Sequence, residues 1–296
     1  MADFYVDQAA GLRRLFGQEP VRVVNFIAGR TGVGRTVALA QLAATLARQG
    51  QEVLVLDENI RKPVADLFGV PHRADLFQVM NGHVAMAEAL LPVCAGVTVL
   101  PVARAIRAMA GFNPAQQRAL VGALEQIDRP VDVILVDSAQ DNPAGVSPLG
   151  LAASETMVVV SGDTAAITEA YALIKRMSMT YGRRHFRALL NNIRLPEEAA
   201  AIFDNMAQVA ASRLGVRVDL AATLPHDEAL RRAVQVAQPV IGAYPDSPVA
   251  YALRMLAADL MTWPVADSQG PGGLGQFTQQ LLHLSQRITP AAVHAG

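Results

Sequence analysis

"GRTGVGRT", residues 29–36, follows the apolar run "VRVVNFIA" (21–28) and opens a helical pattern that Gly50 is placed to end in a left-handed turn. It has the frame G-x-x-x-x-G-K-[ST], with Arg35 at the lysine position and Thr36 at the last. A strand–loop–helix junction of this kind binds phosphate for a physical reason. Successive backbone N–H groups converge in the loop, and the helix behind it begins with unsatisfied donors and the positive end of its dipole. Gly29, Gly32 and Gly34 allow backbone angles and close approach that a side chain would block. Thr36 offers a hydroxyl suited to Mg²⁺. A lysine at 35 would reach the β- and γ-phosphates. Arg35 keeps the charge, but its guanidinium is planar, bulkier and able to bind phosphate as a fork. The bland alternative is a glycine-rich turn, and the strand before and helix after argue against it.

Working outward, further runs read as strands: "EVLVLD" (52–57), "VTVLPV" (97–102), "VDVILVD" (131–137), "TMVVVS" (156–161), "FRALLN" (186–191) and "VDLAATL" (218–224). Most are apolar nearly throughout, as strands covered on both faces must be. Helical patterns alternate with them. Asn113 with Pro114 can start one helix and Pro196 another, because proline at the first helical position gives up no needed bond. The alternation predicts an α/β fold, a doubly wound and mostly parallel sheet flanked by helices, over residues 19–264. Residues 1–18 hold a short helical pattern with no strand partner, and "VADSQGPGG" (265–273) is a linker composition. Beyond it Leu274, Phe277, Leu281, Leu284 and Ile288 recur at helical spacing, which makes one apolar face. That face suits either a membrane surface or a place folded back on the domain.

The composition agrees. Of 296 residues, 52% are apolar and only 5% aromatic, which supplies a large core of small aliphatic side chains. The net charge of −1 argues against a protein that coats nucleic acid, and the cluster Arg183, Arg184 and Arg187 reads as a solvated surface. Cys94 is the single cysteine, so neither an internal disulfide nor a cysteine zinc cluster is expected. Neither a signal peptide nor a spanning helix is evident, and a cytoplasmic protein is the expectation.

The loop and the strand ends together resemble the MinD/ParA-type deviant P-loop ATPases, whose loop reads K-G-G-x-G-K-[ST]. Arg30 then stands for the early "signature" lysine that reaches the partner's phosphates in an ATP-held dimer, Thr31 for a glycine and Arg35 for the second lysine. "VLVLDEN" (53–59) resembles the strand ending in D-x-D: Asp57 matches the first aspartate, and Asn59 replaces the second, which helps position the attacking water. "VDVILVDSA" (131–139) resembles the Walker B strand, with Asp137 near the Mg²⁺ shell. Asn191 in "ALLNNI", and Pro225 and Asp227 in "LPHDEALRRAV", match positions beside the adenine. The resemblance implies ATP or ADP held by Gly29, Thr31, Gly32, Val33, Gly34, Arg35, Thr36, Val37, Asn191, Pro225 and Asp227. It implies Mg²⁺ at Thr36, Asp57 and Asp137, and a homodimer with ATP. Hydrolysis would rest on Arg30, Arg35, Asp57 and Asn59. A neutral amide at 59 orients a water but accepts a proton poorly, so slow or absent hydrolysis is expected.

"DQAAGLRRLF" (7–16) resembles the D-Q-A-x-x-L-R motif of the FlhG/FleN branch, the regulators of flagellar number. There this segment engages the FlhF-type GTPase and stimulates its GTP hydrolysis. The resemblance thus implies partner contacts through Asp7, Gln8, Ala9, Leu12 and Arg13, a flagellar transcription activator as a further partner, and peripheral membrane contact through 274–288. On the residues alone, the same segment is equally a helix packed on its own domain or a frayed terminus. A non-catalytic adaptor of the same fold, or another positioning or partition ATPase, are the competing functions.

Overall fold

A computed structural model describes residues 21–139, 147–263, 277, 278, 280 and 281. Eight strands form one sheet: β1 (Arg22–Ile27), β2 (Val53–Asp57), β3 (Leu91–Cys94), β4 (Val97–Pro101), β5 (Val133–Asp137), β6 (Glu155–Ser161), β7 (His185–Ile193) and β8 (Arg217–Pro225). Their order is β3-β4-β2-β5-β1-β6-β7-β8. All pairs are parallel except β3–β4, which is antiparallel at the edge. The longer helices are α1 (Arg35–Arg48), α2 (Pro114–Glu125), α3 (Thr164–Tyr181), α4 (Pro196–Leu214), α5 (Glu228–Gln235) and α6 (Pro248–Leu260).

Both faces of the sheet are covered, and the strand residues alternate between two apolar clusters. Val53, Val55, Val133 and Leu135 join the cluster containing α1, α3, α4 and α6. Leu54, Leu56, Ile134 and Val136 join the cluster on the other side, with α2. Each fully buried aliphatic side chain there contributes roughly 1.5–3 kcal/mol, which is why the strands lack polar alternation.

The helix starts follow from local chemistry. Asn113 accepts N–H bonds from Ala115 and Gln116, with Pro114 at the first helical position. Pro196 opens α4, and Gly50 leaves α1 at φ 89. The seven expected strands are present within a residue or two of their expected bounds. β3 was not expected, and its Pro92 is tolerated because an edge strand has one unpaired side.

The two ends differ in what can be described. Residues 1–18, including Asp7, Gln8, Ala9, Leu12 and Arg13, lie outside the described residues, as does most of 265–296. Phe277 and Leu281, however, are buried in the same cluster as α2. These two positions of the apolar face therefore pack on the domain, the second of the alternatives open to that segment. Among the described residues, no helix is long and apolar enough to cross a membrane.

Candidate functional site

The central strands β2, β5 and β1 bring the site together at their C-terminal ends. Asp57 and Asp137 are register partners on adjacent parallel strands, and Phe26 of β1 pairs with Asp137 on its other side. The loop "AGRTGVG" (28–34) leaves β1 beside them and ends where α1 begins. Asp57 and Asp137 are buried, and so are Glu58 and Arg35. Among the described residues, Arg35 is the buried cation of this cluster.

Arg35 is the first residue of α1, and its side chain turns to the acids. Its Nε donates to Asp137 Oδ1 over 2.6 Å, and its Nη2 donates to Asn59 Oδ1 over 3.0 Å. Asn59 passes the contact on. Its Nδ2 donates to Asp137 Oδ2 at 2.6 Å and to Asp57 Oδ1 at 3.0 Å. Backbone donors complete Asp57: Asn59 N–H to Oδ1 at 2.9 Å and Val64 N–H to Oδ2 at 2.6 Å. An aspartate at 59 would be a third carboxylate with no proton to donate, so the amide is what lets this network close.

Burial pushes Asp57 up to about 7, with the neighbouring charge of Asp137 adding to it against the bonds from Asn59 and Val64. Glu58 also rises to about 7 through burial, despite accepting bonds from Ser147 Oγ and the Ala139 N–H. Glu58 was not singled out from the sequence. Its signal was available: an ionisable residue between Asp57 and Asn59 at the end of a fully apolar strand.

The loop has the backbone expected of a phosphate cradle. Gly32 and Gly34 sit in the left-handed region at φ 85 and φ 82. A Cβ on Gly34 would also lie 2.3 Å from Asn191 Nδ2, and one on Gly29 would lie 2.3 Å from the backbone of Glu169 in α3. Gly34 precedes α1 with no side-chain cap on the helix's first N–H groups. Thr31 is exposed, Val33 buried, and Thr36 and Val37 half-buried. Arg35 Nη1 is buried without a hydrogen-bond partner. An uncapped helix start beside an orphaned, buried cationic N–H fits an anionic phosphate group.

The other expected site residues have partners of their own. Arg30 Nη1 lies 3.2 Å from Asp163 Oδ1, the residue that caps α3. Asn191 Nδ2 donates to the Val33 carbonyl at 2.8 Å and so fastens the loop to β7. Asp227 caps α5 through Ala229 N–H and accepts from Val249 N–H at the start of α6. Pro225 ends β8 opposite Ile193. Asn192, at φ 61, accepts through Oδ1 from His226 Nδ1 over 2.7 Å.

Three comparisons bear on identity. The family model described as cellulose biosynthesis protein BcsQ matches residues 22–261. The antiactivator FleN of Pseudomonas aeruginosa is 30% identical over 272 residues, covering 92% of this chain and 97% of that protein. The flagellum site-determining protein YlxH of Helicobacter pylori is 24% identical over 194 residues, covering 65% of each. Among solved structures, the septum site-determining protein MinD of Pyrococcus horikoshii with Mg-ADP superposes with a TM-score of 0.62. That match covers 82% of this chain and 96% of that one at 19% identity, which carries the fold alone. The family model's description names cellulose, while the relative matched over nearly its full length is an antiactivator and YlxH is named for the flagellum; the first carries the family and the other two the branch. The chain belongs to the MinD/ParA-type P-loop ATPase family, in its FleN/FlhG branch, with both loop lysines replaced by arginine.

Proposed function

We propose that this protein regulates flagellar number or placement, as a nucleotide-responsive dimer that engages an FlhF-type GTPase through residues 1–18. The carrying observation is the near-full-length relation to FleN. The motif "DQAA" followed by "LRR" (7–14) supports the GTPase as partner, and a flagellar transcription activator is the further one. The loop backbone of residues 29–36, the start of α1 and Arg35 Nη1 are the groups offered to the phosphates of ATP or ADP. The resemblance also implies Mg²⁺ at Thr36, Asp57 and Asp137.

ATP hydrolysis is slow or absent in this reading. Asn59 is an amide, and its Oδ1 and Nδ2 are already bonded to Arg35, Asp57 and Asp137. Arg30 and Arg35 are both engaged with carboxylates of their own subunit. Phosphoryl transfer chiefly needs charge stabilisation and a positioned water; Asn59 is not free to position the water, and Arg35 keeps Nη1 alone for the charge. The same engagement favours a second reading, a non-catalytic adaptor of this fold acting through its surface.

The intact chain, or a peptide of residues 1–18, is expected to accelerate GTP hydrolysis by the cognate FlhF-type enzyme. No acceleration by either removes that partner. Sedimentation with and without ATP separates a nucleotide-gated dimer from an adaptor indifferent to nucleotide.

A further inference from the structure

Every carboxylate oxygen of the metal site implied by the fold already accepts a hydrogen bond from this chain. In the nucleotide sites of P-loop proteins Mg²⁺ is held through carboxylate and hydroxyl groups and bridges phosphate oxygens, keeping several waters in near-octahedral array. Here Asp137 Oδ1 accepts from Arg35 Nε, and Oδ2 accepts from Asn59 Nδ2. Asp57 Oδ1 accepts from Asn59, and Oδ2 from the Val64 N–H. Both carboxylates are buried, at 1% and 0% exposure, and turned to donors of their own chain. Of the three implied ligands this leaves the Thr36 hydroxyl, and the donor set as a whole does not fit Mg²⁺.

They fit a guanidinium. An arginine carries a permanent charge and five donors in one plane. Arg35 spends Nε on Asp137 and Nη2 on Asn59, and keeps Nη1 buried and unpartnered at the end of the phosphate loop. One side chain thus faces the Walker B acid and retains a donor for a phosphate oxygen, the two contacts that a bridging metal makes. Asn59 belongs to the same substitution: its amide N–H groups bridge Asp57 and Asp137 across the gap that a cation would otherwise fill.

We infer that Arg35 is a built-in counter-cation in the place of the divalent metal, so that this protein takes a nucleoside polyphosphate without Mg²⁺. The inference rests on the reading of residues 29–36 as a phosphate site. It makes the arginine at 35 and the asparagine at 59 a matched pair, where either alone would leave the acids uncompensated.

The test is binding of a fluorescent ADP analogue to the full chain, in excess Mg²⁺ and in EDTA. The dissociation constants are expected to agree within about threefold, a difference under 1 kcal/mol. A larger gain with Mg²⁺ overturns the inference and leaves the phosphate site standing. Absence of binding in both media overturns the phosphate site itself and the inference with it. The double variant Arg35→Lys with Asn59→Asp takes the guanidinium and the bridging amide away from Asp57 and Asp137 and is expected to gain at least about tenfold from Mg²⁺. If that variant folds by circular dichroism and binds equally in both media, the inference also fails. If it does not fold, the wild-type comparison decides alone.

Discussion

Arg35 and Asp137, separated by 102 residues, meet in the core as a 2.6 Å ion pair between the first residue of α1 and the last of β5. Breaking it from one side leaves a buried carboxylate without its counter-charge. Arg35→Met is expected to cost about 3–5 kcal/mol in urea denaturation, and adding Asp137→Asn should recover a good part of that. Equal loss in the single and double variants would falsify the pairing.

Stability should depend on pH in an unusual direction. Asp57 and Glu58 are each raised to about 7, well above their values in an unfolded chain. Between the two values the folded state holds protons that the unfolded state has lost, so stability declines as pH rises. The melting temperature is therefore expected to climb as pH falls from about 8 towards about 5. Glu58→Gln, which keeps an acceptor for the Ala139 N–H, should flatten part of that slope. A melting temperature that drops over the same interval contradicts the assignment.

Gly34→Ala meets two obstacles, a φ of 82 and an Asn191 amide 2.3 Å from the new methyl group. The left-handed backbone alone costs roughly 1–2 kcal/mol. Nucleotide binding is expected to vanish, and pairing with Asn191→Ala should relieve the clash without restoring it. Full binding by the single variant would mean the loop is not held as described.

The signature position gives a different outcome. Arg30 and Asp163 are both substantially exposed, so their pair adds at most about 1 kcal/mol to the monomer. Arg30→Ala should leave the melting temperature nearly unchanged while weakening ATP-dependent self-association. Sedimentation velocity reads this directly, and unchanged association argues that Arg30 has no role across the dimer.

The C-terminal apolar face is tested from both sides. Phe277→Ala should destabilise the domain by about 3 kcal/mol, because Phe277 is buried among the α2-side residues. Vesicle flotation should be equal for the full chain and one ending at Pro264. Loss of flotation on truncation would show that Phe277 and Leu281 leave the core to meet lipid.

Most of the scaffold was legible because two-sided burial writes continuous apolar runs, and those runs match seven of the strands closely. β3 escaped because Leu91–Cys94 is only partly buried and carries a proline, so it shows neither a run nor an alternation. The strand-end acids were legible for the same reason as the strands: Asp57 and Asp137 close runs of apolar residues. The destination of Arg35 was not. Its charge fits both a phosphate and a carboxylate, and only the register of β2 against β5 brings Asp57, Asn59 and Asp137 within its reach. Asn191 and Asp227 were legible as positions, but their bonds to the Val33 carbonyl and to the Val249 N–H depend on folding.

Trp263 is the single tryptophan of the chain, and the Arg187 guanidinium stacks 3.8 Å from its ring. Its carbonyl accepts from Arg22, and Arg22 and Arg187 lie near the starts of β1 and β7. The ring therefore sits at the end of the sheet opposite the phosphate loop, just before the chain passes to the other face at Phe277. Intrinsic tryptophan emission from this protein accordingly reports the end of the sheet where Arg22 and Arg187 meet the ring, and an optical signal for the loop has to be carried in by the ligand.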